Sequence, residues 1–130
     1  MELIRDEEFK SIYYLDCFQK EFRSLFNNEK EYKRHKEALV FRLKIMDNIP
    51  SIQALLLDST HFEKLKGVPG LYAIRHQSRN LNPRTIFIYE ESEGVYILLL
   101  SFLEKRKSDY TQAIRRAQGM LRELEGDDEE

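Results

Sequence analysis

Aromatic and β-branched residues crowd positions 10–16, where Ser11, Ile12, Tyr13, Tyr14 and Leu15 predict a first strand. Phe18, Phe22 and Phe26 then recur every fourth position, and the polar stretch among them predicts a short amphipathic helix over 19–25. Asn27 and Asn28 interrupt it. Over 29–48, Tyr32, Leu39, Leu43 and Met46 share a stripe that Lys30, Lys33, Arg34 and Lys44 avoid, which predicts a long helix. Pro50 ends it, because the residue before a proline is pushed out of α space. Residues 51–59 form an apolar connector with room for one helical turn.

The second half changes period. Residues 71–76 and 84–89 alternate in polarity, and 95–102 is almost wholly apolar, so three strands are expected. Gly67, Pro69 and Gly70 punctuate the approach to the first, and residues 80–83 turn into the second. The acidic segment 90–94 reads as a hairpin loop in which Gly94 is free to take positive φ. A last helix is expected from Asp109, with Gln112 three residues on as in a capping box. Its apolar stripe runs through Tyr110, Ala113, Ile114, Ala117, Leu121 and Leu124. The order strand, helix, helix, strand, strand, strand, helix predicts an α+β domain over 1–124. Its mostly antiparallel sheet should have helices on one face. Residues 125–130 read as an acidic, disordered tail.

Composition narrows the chemistry. The single cysteine, Cys17, excludes an internal disulfide framework and a cysteine metal site, and suits a reducing cytoplasm. No uncharged apolar run approaches the ~20 residues of a membrane span. The acidic start lacks the layout of a secretory signal. His35, His61 and His76 lack metal-ligand spacing, and no phosphate-binding glycine loop or nucleophile elbow occurs. No metal or cofactor is therefore expected. Charge is unevenly spread: residues 61–124 carry 11 Lys+Arg against 7 Asp+Glu, and 125–130 carry five acids and no base. That asymmetry points to an anionic partner.

The bases of the second half gather around the three strands. Lys64 and Lys66 precede them, and Arg75 and Arg79 end the first. Arg84 begins the second, and Lys105, Arg106 and Lys107 follow the third. In a meander, Arg75 and Arg84 meet at one turn. Converging cations bind a phosphodiester backbone and stabilise the dianionic phosphorane formed when RNA is cleaved through its own 2′-hydroxyl. Solvated strand ends are the other reading of the same spacing.

The segment from Lys64 through Gly67 and Tyr72 to Arg75 resembles the signature of the RelE/HigB toxins of type II toxin–antitoxin systems. Residues 84–89 resemble their arginine-led next strand. Residues 98–107 resemble the HigB-type strand that ends in Phe102 and a basic cluster, and 110–117 the opening of their last helix. Two helices after the first strand fit the phage-derived HigB-like branch best. The resemblance implies a compact ribonuclease-type fold and a metal-independent mRNA endoribonuclease acting on translating ribosomes. It also implies a cognate antitoxin that covers the basic face. Matched position by position, it implies catalytic roles for Lys64, Lys66, Arg84, Arg106 and Tyr110. Arg75, His76, Arg79, Lys105 and Lys107 complete the expected RNA-binding set. Tyr110 also opens the apolar stripe of the last helix and so serves equally as an anchor. His61 and His76 are the histidines near enough in sequence to act as general base. Glu104 departs from the pattern, since an acid there repels phosphate. That departure keeps an alternative open: a non-catalytic module of the same fold that inhibits a host protein such as gyrase.

Overall fold

The computed structural model describes residues 1–76 and 81–129, with side chains through Gly126. Ten elements follow in order: β1 (Leu3–Arg5), β2 (Ile12–Leu15), α1 (Phe18–Ser24), α2 (Glu29–Asp47), α3 (Ile52–Leu55), β3 (Phe62–Lys64), β4 (Tyr72–Arg75), β5 (Pro83–Glu90), β6 (Val95–Leu103) and α4 (Lys107–Glu129). One six-stranded sheet runs β1-β2-β6-β5-β4-β3. Its neighbours are antiparallel except β2 and β6, which are parallel. The fold is α+β and mostly antiparallel, as expected. The edge strands β1 and β3 are additions, because three residues are too few to establish a period of two. None of the described helices is long and apolar enough to cross a membrane.

Local chemistry explains the long helix α2. Asn28 caps it, its side chain accepting from the Glu31 amide at 2.8 Å. Glu29 and Glu31 lie in the positive first turn. His35, Leu39, Leu43 and Met46 form its buried face. Two tyrosines hold its far end to the β5–β6 hairpin: the Tyr96 hydroxyl donates to the Ile49 carbonyl at 2.5 Å, and the Tyr89 hydroxyl to the Pro50 carbonyl at 3.0 Å.

Strand alternation divides the core. Tyr14, Ile74, Phe87 and Leu98 pack toward α1, α2 and α3. Leu15, Ala73, Ile86 and Leu99 pack with Ala113, Ala117 and Met120 of α4. Helices therefore cover both faces of the sheet, whereas one covered face was expected. The reason lies in β6, where Tyr96 through Ser101 are all buried. A strand that is apolar on both sides needs cover on both sides.

A β-bulge in β6 refines this. Ile86 pairs with Leu100 and Phe87 with Leu98, which leaves Leu99 without an opposite residue. Leu99 and Leu100 then both join the α4-side core. Beyond the bulge the alternation is inverted, so Ser101 turns toward Thr85 and Phe102 toward Tyr110.

Helix α4 begins two residues before the expected start. Asp109 accepts from the backbone amides of Lys105 at 2.7 Å and Arg106 at 2.9 Å, so it caps from inside the first turn. The helix continues through 125–129 of the acidic segment.

Phe87 is fully buried between Phe62, Tyr72 and Tyr96. Phe87→Ala is expected to cost about 3–5 kcal/mol of unfolding free energy in denaturant titrations. Phe41→Ala, at a position 55% exposed, should stay within about 0.5 kcal/mol of the parent.

Candidate active site

The sheet register builds a row of side chains beneath the start of α4. Arg75 of β4 pairs with Arg84 of β5, and Arg84 with Phe102 of β6. Glu63 of β3 pairs with Ala73, on the next row of the same face. Tyr110, in the first turn of α4, lies edge-on to Phe102 with ring centroids 5.0 Å apart. Two arginines directly opposed on neighbouring strands repel, so the arrangement calls for anions nearby.

Two carboxylates answer that need from within the chain. Arg84 is 5% exposed. Its Nε donates to the Tyr110 hydroxyl at 3.1 Å and lies 3.2 Å from Glu104 Oε2, while Nη1 donates to the Pro83 carbonyl at 3.1 Å. The Tyr110 hydroxyl donates in turn to Glu63 Oε1. Burial, and then the hydrogen bond to Glu63, hold the Tyr110 phenol above its usual range, so it keeps its proton at neutral pH. The Arg75 Nε is buried and has no hydrogen-bond acceptor among the described residues. A buried cationic donor without an acceptor is costly, and an anion arriving between Arg75 and Arg84 would satisfy it.

Of the expected residues, the structure brings together Arg75, Arg84 and Tyr110. Lys105, Arg106 and Lys107 are exposed and follow Glu104 at the same end of the sheet. Lys64 and Lys66 are exposed, and their side chains make no hydrogen bond or ion pair among the described residues. Alternation along β3 directs Lys64 to the face opposite Glu63, so the cations do not all converge on one surface as expected. Arg79 lies outside the described residues.

His76 departs furthest from expectation. It is 1% exposed on the α2 side of the sheet, and its Nε2 lies 3.4 Å from Thr85 Oγ1. The Thr85 and Ser101 hydroxyls are bonded at 2.7 Å. Burial, with Arg42, His35 and Arg84 adding to it, pushes the His76 pKa down to about 3. A neutral ring under α1 and α2 does not reach RNA phosphates or a ribose hydroxyl. His76 follows Ile74 by two positions and therefore shares its inward face. His61 instead binds Asp58, Nδ1 to Oδ2 at 2.8 Å, and lies edge-on to Phe41.

Sequence reasoning missed Glu63, which sits in the spacer between the apolar connector and Lys64. The available signal was a hairpin: Gly67-Val68-Pro69-Gly70 between two apolar-containing runs. Gly67 and Gly70 take φ of +74° and +85° in that turn, which favours residues without Cβ. Glu104, expected to repel phosphate, neutralises Arg84. Among the described residues, no group of three or more His, Cys, Asp or Glu is placed to hold a metal ion.

The depressed His76 pKa sets a pH dependence. Between pH 6.5 and about 3 the unfolded chain binds a proton at His76 that the folded chain refuses. Stability is therefore full above pH 6.5 and falls on acidification, by about 1.4 kcal/mol per pH unit for such a group. Burial lowers the His35 pKa as well, and it acts in the same direction. Unfolding free energy measured at pH 7, 6 and 5 should decline, and His76→Gln should flatten the slope; equal slopes would remove His76 from this account.

No protein-family model matches the chain, and no curated protein does. Among solved structures, the isolated Escherichia coli RelE toxin is 21% identical, with 81% of this chain and 95% of that chain covered and a TM-score of 0.47. The intact E. coli RelBE toxin–antitoxin complex contains a chain 20% identical to this one. There 73% of this chain and 96% of that chain are covered, again with a TM-score of 0.47.

Proposed function

We propose that this chain is a metal-independent endoribonuclease, the toxin of a type II toxin–antitoxin pair, acting on mRNA in the cytoplasm. The observation that carries the reading is the opposed pair Arg75 and Arg84, with Arg84 joined through Tyr110 to Glu63. The sequence resemblance of residues 64–117 to RelE/HigB toxins supplies the substrate class.

In this reading the scissile phosphate lies between Arg75 and Arg84. The RNA 2′-oxygen attacks the adjacent phosphorus, and Glu63 takes its proton. The bond from phosphorus to the 5′-oxygen breaks, and Tyr110 protonates that oxygen as it leaves. The Tyr110 phenol, although its pKa is raised, remains a stronger acid than the alcohol released. The proton held by Glu63 returns to Tyr110 along their hydrogen bond, leaving a 2′,3′-cyclic phosphate and a 5′-hydroxyl. Arg84 and Arg75 hold the charge that develops on the phosphorane. Arg106, Lys105 and Lys107 bind flanking phosphates at the rim. Lys64 and Lys66 suit a stretch of backbone away from the scissile bond. The resemblance also assigns a small antitoxin and the translating ribosome as partners.

Two observations favour a second reading. Arg84 is already neutralised by Glu104, and Lys64 points away from the row. Both features suit a non-catalytic module that binds and inhibits a host protein such as gyrase.

Induction of the wild type should arrest growth and yield cleaved mRNA with 5′-hydroxyl ends. Arg84→Ala is expected to slow cleavage by about 10²–10³ and Glu63→Gln by about 10²–10⁴. Intact transcripts in arrested cells, with DNA supercoiling inhibited in vitro, would select the second reading.

A further inference from the structure

We propose that Glu104 is an internal stand-in for the RNA phosphate, occupying the anion position at Arg84 until a phosphodiester displaces it. The inference rests on the nuclease reading and adds a residue that sets how readily the site opens. Three observations converge on it. The Arg84 side chain is 6% exposed and that of Glu104 is 33% exposed, so the carboxylate lies on the open side of the guanidinium. Glu104 Oε2 is 3.2 Å from Arg84 Nε, the atom that also bonds Tyr110. The Glu104 amide donates to the Asn82 carbonyl at 2.9 Å, which pins its backbone to the end of the sheet. Among the described residues its carboxylate forms an ion pair with Arg84, and rotation of the side chain alone withdraws it.

Charge balance makes the exchange feasible. A carboxylate and a phosphodiester each carry one negative charge, so Arg84 is paired before and after. An unpaired guanidinium at this depth is strongly unfavourable, and an internal anion lets the sheet fold without ligand. The same anion competes with RNA, since a ligand's apparent affinity falls by the fraction of protein in the closed form. On leaving Arg84, the Glu104 carboxylate has exposed Lys105 and Arg106 beside it in the chain.

The test uses the full chain and two probes: a 2′-O-methyl RNA hexamer, which cannot be cleaved, and inorganic phosphate. Glu104→Gln should bind the hexamer on the order of tenfold more tightly, a coupling of ordinary size. Glu37→Gln makes the same charge change at an exposed site on α2 and should stay within about twofold of the parent. The Arg84 Nε–H resonance should shift with millimolar phosphate in Glu104→Gln and hold still in the wild type. Should Glu104→Gln unfold in a thermal melt, Glu104→Asp shortens the reach to Arg84 and should also tighten hexamer binding. Weaker or unchanged binding by a folded Glu104 variant, or equal gains in Glu104→Gln and Glu37→Gln, would overturn the inference. RNA cleavage is scored separately. Tighter binding without cleavage in either protein sinks the nuclease reading and leaves the gate standing. Cleavage by the wild type with no gain at Glu104 does the reverse.

Discussion

Arg84 lies at the junction on which the site depends. A guanidinium under a helix must be surrounded by acceptors, because a buried charge without them costs several kcal/mol. Here the acceptors come from distant parts of the chain: Tyr110 from α4, Glu104 from the segment after β6, and the carbonyl of neighbouring Pro83. Tyr110 extends the network to Glu63 on β3. One cation thus ties an edge strand, a central strand and the last helix together. The candidate site is built where the fold most needs internal pairing.

The bulge at Leu99 decides which side chains take part. A regular β6 would direct Phe102 away from Tyr110 and Ser101 toward it. The extra residue inverts that order, placing Phe102 against Tyr110 and Ser101 beside Thr85. It also lets Leu99 and Leu100 both pack beneath α4. One irregularity in a central strand therefore gives the α4-side face its aromatic wall and the opposite face its polar pair.

The two faces divide the polar work. On the α4 side, the buried Arg84 is paired across elements with Tyr110 and Glu104. On the α2 side, His35 and His76 are buried as neutral rings among Phe22, Phe26, Thr85 and Ser101. Histidines so placed shape packing and acid sensitivity, and the RNA chemistry proposed for the other face does not use them.

Periodicity alone determined most of the framework: β2, the helices, the strands β4 to β6 and the α+β class follow from local spacing. The run from Val95 to Phe102 already carried the reason for two covered faces, since it is apolar at both parities. The resemblance singled out Arg75, Arg84 and Tyr110, which the structure brings together. Only tertiary structure decided the rest. Short edge strands leave no period to read, so Glu63 stayed hidden in a spacer. A bulge shifts parity without a mark in composition. Whether Glu104 repels a phosphate or neutralises Arg84, and whether His76 faces solvent or the core, depends on what lies opposite in space, and chain order does not encode that directly.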